Sequence, residues 1–113
     1  MKSKLVSLSN NDDFKNLLKG KKVSNKYFTV FFKRLLNKNN KILNISFVAK
    51  KKLGNAVNRN KIKRRLKNIM NLAIKELSIN FDYSYLIIAK NSILKDEYSS
   101  IKKTLFSDFK KIK

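Results

Sequence analysis

Residues 50–67 read KKKLGNAVNRNKIKRRLK, with nine lysines and arginines, three asparagines, one glycine and no carboxylate. Side chains of these types bind phosphate; they do not cut it. Hydrolysing a phosphodiester calls for carboxylates that hold metal ions, or for a histidine that moves a proton. The chain has no histidine, no cysteine and only 7 carboxylates in 113 residues. Lys63 and Arg64 could stabilise developing charge, but neither can generate a nucleophile. Arginine usage sharpens the point. The chain has four arginines against 24 lysines, and three of the four, Arg59, Arg64 and Arg65, fall within seven residues. A guanidinium fork offers planar two-point contact with phosphate, or stacks on a base, where an ammonium does neither. Gly54 permits a tight entry, Asn55 can cap the helix that follows, and the free N–H groups of its first turn attract anions. Lys50, Lys51 and Lys52 stand just ahead of that turn.

The whole chain shares this bias. Net charge is +21, and from Phe14 through Lys75 there is no acidic residue among nineteen lysines and arginines. A basic helix face in a soluble protein usually mixes signs so that i,i+4 pairs can form, and here no acid is at hand. A like-charged field of this size opposes compaction and favours a polyanion, so nucleic acid is the expected partner. A cationic membrane-surface protein is the weaker alternative, because the apolar stripes are needed for a core. No apolar run reaches the ~20 residues of a membrane helix, and the start MKSKLVSLSNNDDF lacks a signal-peptide apolar stretch. A cytoplasmic protein with no membrane association and no stable protein partner is expected.

Elements must position these groups. At 113 residues with 42% hydrophobic residues, the sequence predicts one α+β domain spanning residues 1–113. NNDDFKNLLKG predicts a short helix with Phe14, Leu17 and Leu18 at helical spacing and Gly20 as its stop. KYFTVFFKRLL alternates, with Phe28, Val30 and Phe32 on one face and Tyr27, Thr29, Phe31 and Lys33 on the other. ILNISFVA alternates again after a polar link, and the two strands are expected to pair antiparallel. A long helix from about Ala56 to Ser78 carries the stripe Ile62, Leu66, Ile69, Ala73 and Leu77. Asn60, Lys63, Arg64, Lys67 and Asn71 fall opposite it. YSYLIIA reads as a buried strand, and a closing helix aligns Tyr98, Ile101, Leu105, Phe109 and Ile112. The order is αββαβα, with helices packed on a mixed sheet of three to four strands.

KLGNAVNRNKIKRR, Lys52 to Arg65, resembles the Lys-x-Gly-Asn-Ala-Val-x-Arg-Asn-Arg-x-Lys-Arg stretch of the bacterial ribonuclease P protein family. The match is nearly position for position, Lys61 standing where the family has arginine. The resemblance also takes in the DDF of the first helix, the aromatic strand and YLIIA. It implies a left-handed βαβ crossover in the fold, against the usual rule. It implies further that the protein assists a catalytic RNA subunit, which binds the Mg²⁺, in removing the 5′ leader from precursor tRNA, the polypeptide alone not being catalytic. By resemblance, Lys52, Asn55, Arg59, Asn60, Lys61, Lys63, Arg64, Arg65 and Lys67 face the ribonuclease P RNA. Phe14 and Phe31 match aromatic positions of a cleft that holds the leader, where Leu18 replaces a second aromatic. The residues themselves add Tyr27 and Lys33 to that cleft, since aromatics interleaved with lysine suit single-stranded RNA. The alternative for Phe14, Tyr27 and Phe31 is a second small core under the first helix. Composition alone would fit a structural RNA-binding protein such as a small ribosomal protein equally well.

Overall fold

The computed structural model describes residues 5–8, 11–35, 38 and 41–112. The chain runs β1 (Leu5–Val6), α1 (Asn11–Leu18), β2 (Lys21–Ser24), β3 (Phe28–Lys33), β4 (Leu43–Val48), α2 (Ala56–Glu76), β5 (Ser84–Ala89) and α3 (Tyr98–Lys111). Single 3-10 turns at Lys51–Leu53 and Asn91–Leu94 follow β4 and β5. One five-stranded mixed sheet has the order β1-β4-β5-β3-β2. β4 lies parallel to β1 and to β5, whereas β3 lies antiparallel to β5 and to β2.

The α+β class, the three helices and the β4–α2–β5 crossover agree with expectation, and the strand count does not. β1 has two residues and β2 has four, three of them exposed, so neither carries an apolar alternation to be read. Nor do β3 and β4 pair, despite their short link. β5 stands between them, with Phe31 opposite Leu86 on one side and Ser46 opposite Leu86 on the other. β5 is apolar on both faces, and the centre of a sheet covered on both sides is where such a strand loses least.

The main core fills one face. Phe28, Val30 and Phe32 of β3, Leu43 and Ile45 of β4, and Tyr85, Ile87 and Ala89 of β5 pack there. Ile62, Leu66, Ile69, Met70 and Ala73 of α2 and Ile101, Leu105 and Phe109 of α3 close over them. α2 ends at Glu76, so Leu77 lies just past the helix and packs partly buried on the core. Tyr98 departs from the expected α3 stripe, being exposed at the first position of that helix.

α1 covers the other face, where Leu8, Leu17 and Leu86 make a smaller cluster flanked by Phe14, Phe31, Leu35, Val48 and Ile88. Gly20 sets how closely α1 meets the sheet. A Cβ there would lie 2.6 Å from the Phe32 carbonyl oxygen and 2.9 Å from Lys33 Cβ. That oxygen belongs to the backbone of a paired strand and cannot swing aside. Gly20→Ala is therefore expected to cost ~1–3 kcal/mol, read as a lower urea midpoint at unchanged slope.

Candidate nucleic-acid interface

Local chemistry brings the chain into α2 as the sequence predicts. The Lys51–Leu53 turn is anchored by buried Leu53 and ends at Gly54, whose φ of +126° is a conformation that side-chain-bearing residues rarely adopt. Asn55 then caps the helix, its Oδ1 accepting from the Asn58 N–H at 2.9 Å. No carboxylate occupies the first turn, so the positive end of the helix dipole is left for an outside anion.

With Ile62, Leu66, Ile69 and Ala73 buried, ~100° per residue turns Asn60, Lys63, Arg64 and Lys67 outward. All four are exposed, as are Asn55, Lys61 and Arg65. Lys61 and Arg65 point about 100° further round than Asn60 and Arg64, so the cations form a broad band. Arg59 lies at the border of the apolar stripe and is half-buried, its Nε out of solvent and without a hydrogen-bond partner. Among the described residues, no ion pair reaches these α2 cations. Asp13 pairs with Lys38 at 2.6 Å and Asp96 with Lys26 at 3.1 Å.

Two concavities flank this band. The first is a 540 Å³ groove with Thr29, Phe31 and Ile88 on its floor and Lys26, Lys50, Lys52 and Lys90 around it. Lys90 is held in place, its Nζ donating to Ser24 Oγ at 2.7 Å and to the Asn25 carbonyl at 2.6 Å. Asn25 is itself fixed, its Oδ1 accepting from the N–H groups of Tyr27 and Phe28 and its Nδ2 donating to Asp108 Oδ2 at 2.6 Å. Since Asp108 is buried on α3, the β2–β3 turn that carries this wall of the groove is tied to the main core. The second concavity, 400 Å³, sets Phe14, Leu8 and Ser46 against Lys63, Arg64 and Lys67. Ser46 Oγ donates to the Leu8 carbonyl and accepts from the Leu8 N–H, which fixes that wall.

The predicted residues sort accordingly. Phe31 and Lys52 share the first groove, while Phe14 stands apart from Phe31 and beside Arg64. Both rings are partly buried against the small cluster under α1, so each packs and still lines a cavity. Leu18 is 50% exposed and lines neither cavity. Tyr27 does not share Phe31's face. It precedes β3, so the strand alternation does not extend to it; its ring is 3% exposed in the main core. Its hydroxyl donates to Asp96, and that bond together with Lys26 holds the Asp96 carboxyl below the usual carboxylate range. Lys33 is also elsewhere, in a third pocket with Lys19, Lys21 and Arg34.

Sequence reasoning missed Lys26, Lys90, Asn25 and Asp108. Their one signal is weak: an asparagine just ahead of an aromatic strand, and a lysine just after a buried one. Among the described residues, no three of His, Cys, Asp and Glu gather as metal ligands would, and no helix is long and apolar enough to cross a membrane.

An α+β domain that presents, along its long helix, a cationic band with no acid before Glu76, beside a basic groove floored by an aromatic ring, has the makeup of a nucleic-acid-binding protein. The model of a family described as Ribonuclease P matches residues 2–113. The ribonuclease P protein component of Carboxydothermus hydrogenoformans is 36% identical over 110 residues, covering 94% of this chain and 90% of that protein. That of Mycoplasma mycoides is 32% identical with both chains covered in full. Among solved structures, the Staphylococcus aureus RNase P protein superposes with a TM-score of 0.74 at 28% identity, covering 94% of this chain and 93% of that one. The Thermotoga maritima RNase P protein superposes with a TM-score of 0.78 at 23% identity over 96% of this chain and 98% of that one, a likeness of fold. The chain belongs to the bacterial ribonuclease P protein family, and its function is that of a ribonuclease P protein component in tRNA processing.

Proposed function

We propose that the chain docks a catalytic RNA along α2 and holds the single-stranded 5′ leader of precursor tRNA in the groove floored by Phe31. The RNA would hold the Mg²⁺ ions at which water is activated to hydrolyse the phosphodiester, in a cytoplasmic ribonucleoprotein. The polypeptide contributes no catalytic group. It lowers the electrostatic cost of bringing two polyanions together, and so the Mg²⁺ concentration that cleavage requires.

The observation that carries this reading is the α2 band itself, from Asn55 through Lys67, exposed but for half-buried Arg59 and, among the described residues, without a carboxylate partner. An unpaired cationic surface of this size is stabilised by an external polyanion. Arg59, Lys61, Lys63, Arg64, Arg65 and Lys67 supply the phosphate contacts to the catalytic RNA. The groove at Phe31, ringed by four lysines, has the makeup that single strands favour, a π-face for a base and ammonium groups for the backbone.

Adding the protein to a bacterial ribonuclease P RNA with precursor tRNA at low Mg²⁺ tests the whole reading. Faster 5′ cleavage and tighter precursor binding are expected; no gain in either would reject it. The groove is tested by Phe31→Ala, expected to lower affinity for precursor by ~1–3 kcal/mol while leaving mature tRNA unaffected. Equal losses for both would assign Phe31 to packing under α1.

A further inference from the structure

Arg34 is the one arginine outside the α2 segment, and the reading above leaves it without a role. It lines a third concavity of 370 Å³ with Lys19, Lys21, Lys33, Phe32 and Tyr83, and among the described residues no carboxylate lines it. Its guanidinium lies over the Tyr83 ring, 5.5 Å from the centroid. Contact of this kind restrains the fork, and a restrained fork keeps its in-plane N–H groups ready for two-point contact with an anion. Tyr83 is itself set by the main core, edge-on to Phe32 at 5.3 Å and to Tyr85 at 6.3 Å.

This pocket is separate from both concavities beside α2. It shares no lining residue with the Phe31 groove, and alternation along β3 sends Phe31 of the groove and Phe32 of the third pocket to opposite faces of the sheet. The edge strand β2 links them. Its register sets Ser24 opposite Thr29 at the groove end and Lys21 opposite Phe32 at the other. Lys21 and Lys22 are exposed along this edge, so cations continue from Lys26 through β2 to Lys19 and Arg34.

We infer that the Arg34–Tyr83 pocket is a second RNA-backbone site, which takes the phosphates of an RNA segment that runs past β2 away from α2. The inference rests on the proposal that the protein binds RNA, and adds a contact at the far end of the sheet. Phosphate on Arg34, Lys19, Lys21 and Lys33 is the shared chemistry, whether the segment belongs to the distal leader or to the catalytic RNA.

Arg34→Ala and the double variant Lys19→Ala/Lys21→Ala, each in the full-length protein, test it against Arg64→Ala as reference. Binding is measured across a salt series to three probes: ribonuclease P RNA, precursor with a short leader, and precursor with a long leader. Arg34→Ala is expected to weaken at least one probe several-fold and to reduce its salt slope by about one unit. Loss for the catalytic RNA assigns the segment to that RNA, and loss confined to the long leader assigns it to the leader. Arg34→Lys is expected to restore the slope and only part of the affinity. Should Arg34→Ala and the double variant leave all three slopes unchanged while Arg64→Ala lowers one, the second site is overturned and the main reading stands. If no probe binds the unaltered protein, both are overturned.

Discussion

Replacing Arg59, Arg64 and Arg65 together with alanine will weaken binding to ribonuclease P RNA by about a thousandfold or more at low salt. A hydrogen bond to a charged group contributes ~1.5–3 kcal/mol net, and three lost at the lower figure make about three decades. The salt dependence carries the sharper signature, since each lost phosphate contact removes about 0.7–0.9 of a unit from the slope of log affinity against log salt. A drop of about two to three units is therefore expected. Folding should survive, because Arg64 and Arg65 are exposed and paired with nothing among the described residues. The single variants will not be equal. Arg59 is half-buried with its Nε unpartnered, so part of its loss removes an unsatisfied group from the free protein. Changing all three to lysine keeps the charge and loses the fork; it should leave the slope close to wild type while still lowering affinity. Unchanged affinity and slope in the alanine variant would take the arginines out of the interface.

Leu66→Ala should do the opposite, leaving the cations intact and loosening what holds them. Leu66 is fully buried on α2 within the main core. Truncating a side chain so placed costs ~2–5 kcal/mol, depending on how far the surroundings collapse into the cavity. A domain of this size is stable by only ~5–15 kcal/mol, so the loss is a large share of the total. The urea midpoint should fall with unchanged slope, and RNA affinity measured well below the new unfolding temperature should stay within a few-fold of wild type. A matching loss of RNA affinity at full folding would mean that α2 shifts on the sheet, and that the band is less rigid than its packing implies. Together the two variants separate the faces of one helix, one made for the polyanion and the other for the sheet.

Much of α2 was legible because its information is local. The stripe from Ile62 to Ala73, the Asn55 cap and the Gly54 entry each depend on residues within a turn or two of one another. So does the alternation of Phe28, Val30 and Phe32, all three buried as their spacing predicts. Tyr27 shows the limit. Its place in the alternation put it beside Phe31, but the Asn25 turn ends the strand geometry at Phe28 and sends the ring into the core. The absent β3–β4 pair shows the same limit at longer range. A short polar link favours a hairpin on loop entropy, yet seating β5 between the two strands buries both its faces.

By itself the sequence determined that this is a cationic domain with neither histidine nor carboxylate from Phe14 through Lys75, and which face of its long helix looks outward. Charge content and helical periodicity are properties of the chain that no packing arrangement can alter. Only the tertiary structure decided which cations stand together. Lys90 joins Lys50 and Lys52 around Phe31 because β5 is the neighbour of both β3 and β4. Phe14 comes to line one cavity with Arg64 because α1 packs through Leu17 onto the face of the sheet opposite the main core. These neighbours are far apart in the chain, and they follow from competition among non-local pairings that no window of sequence records.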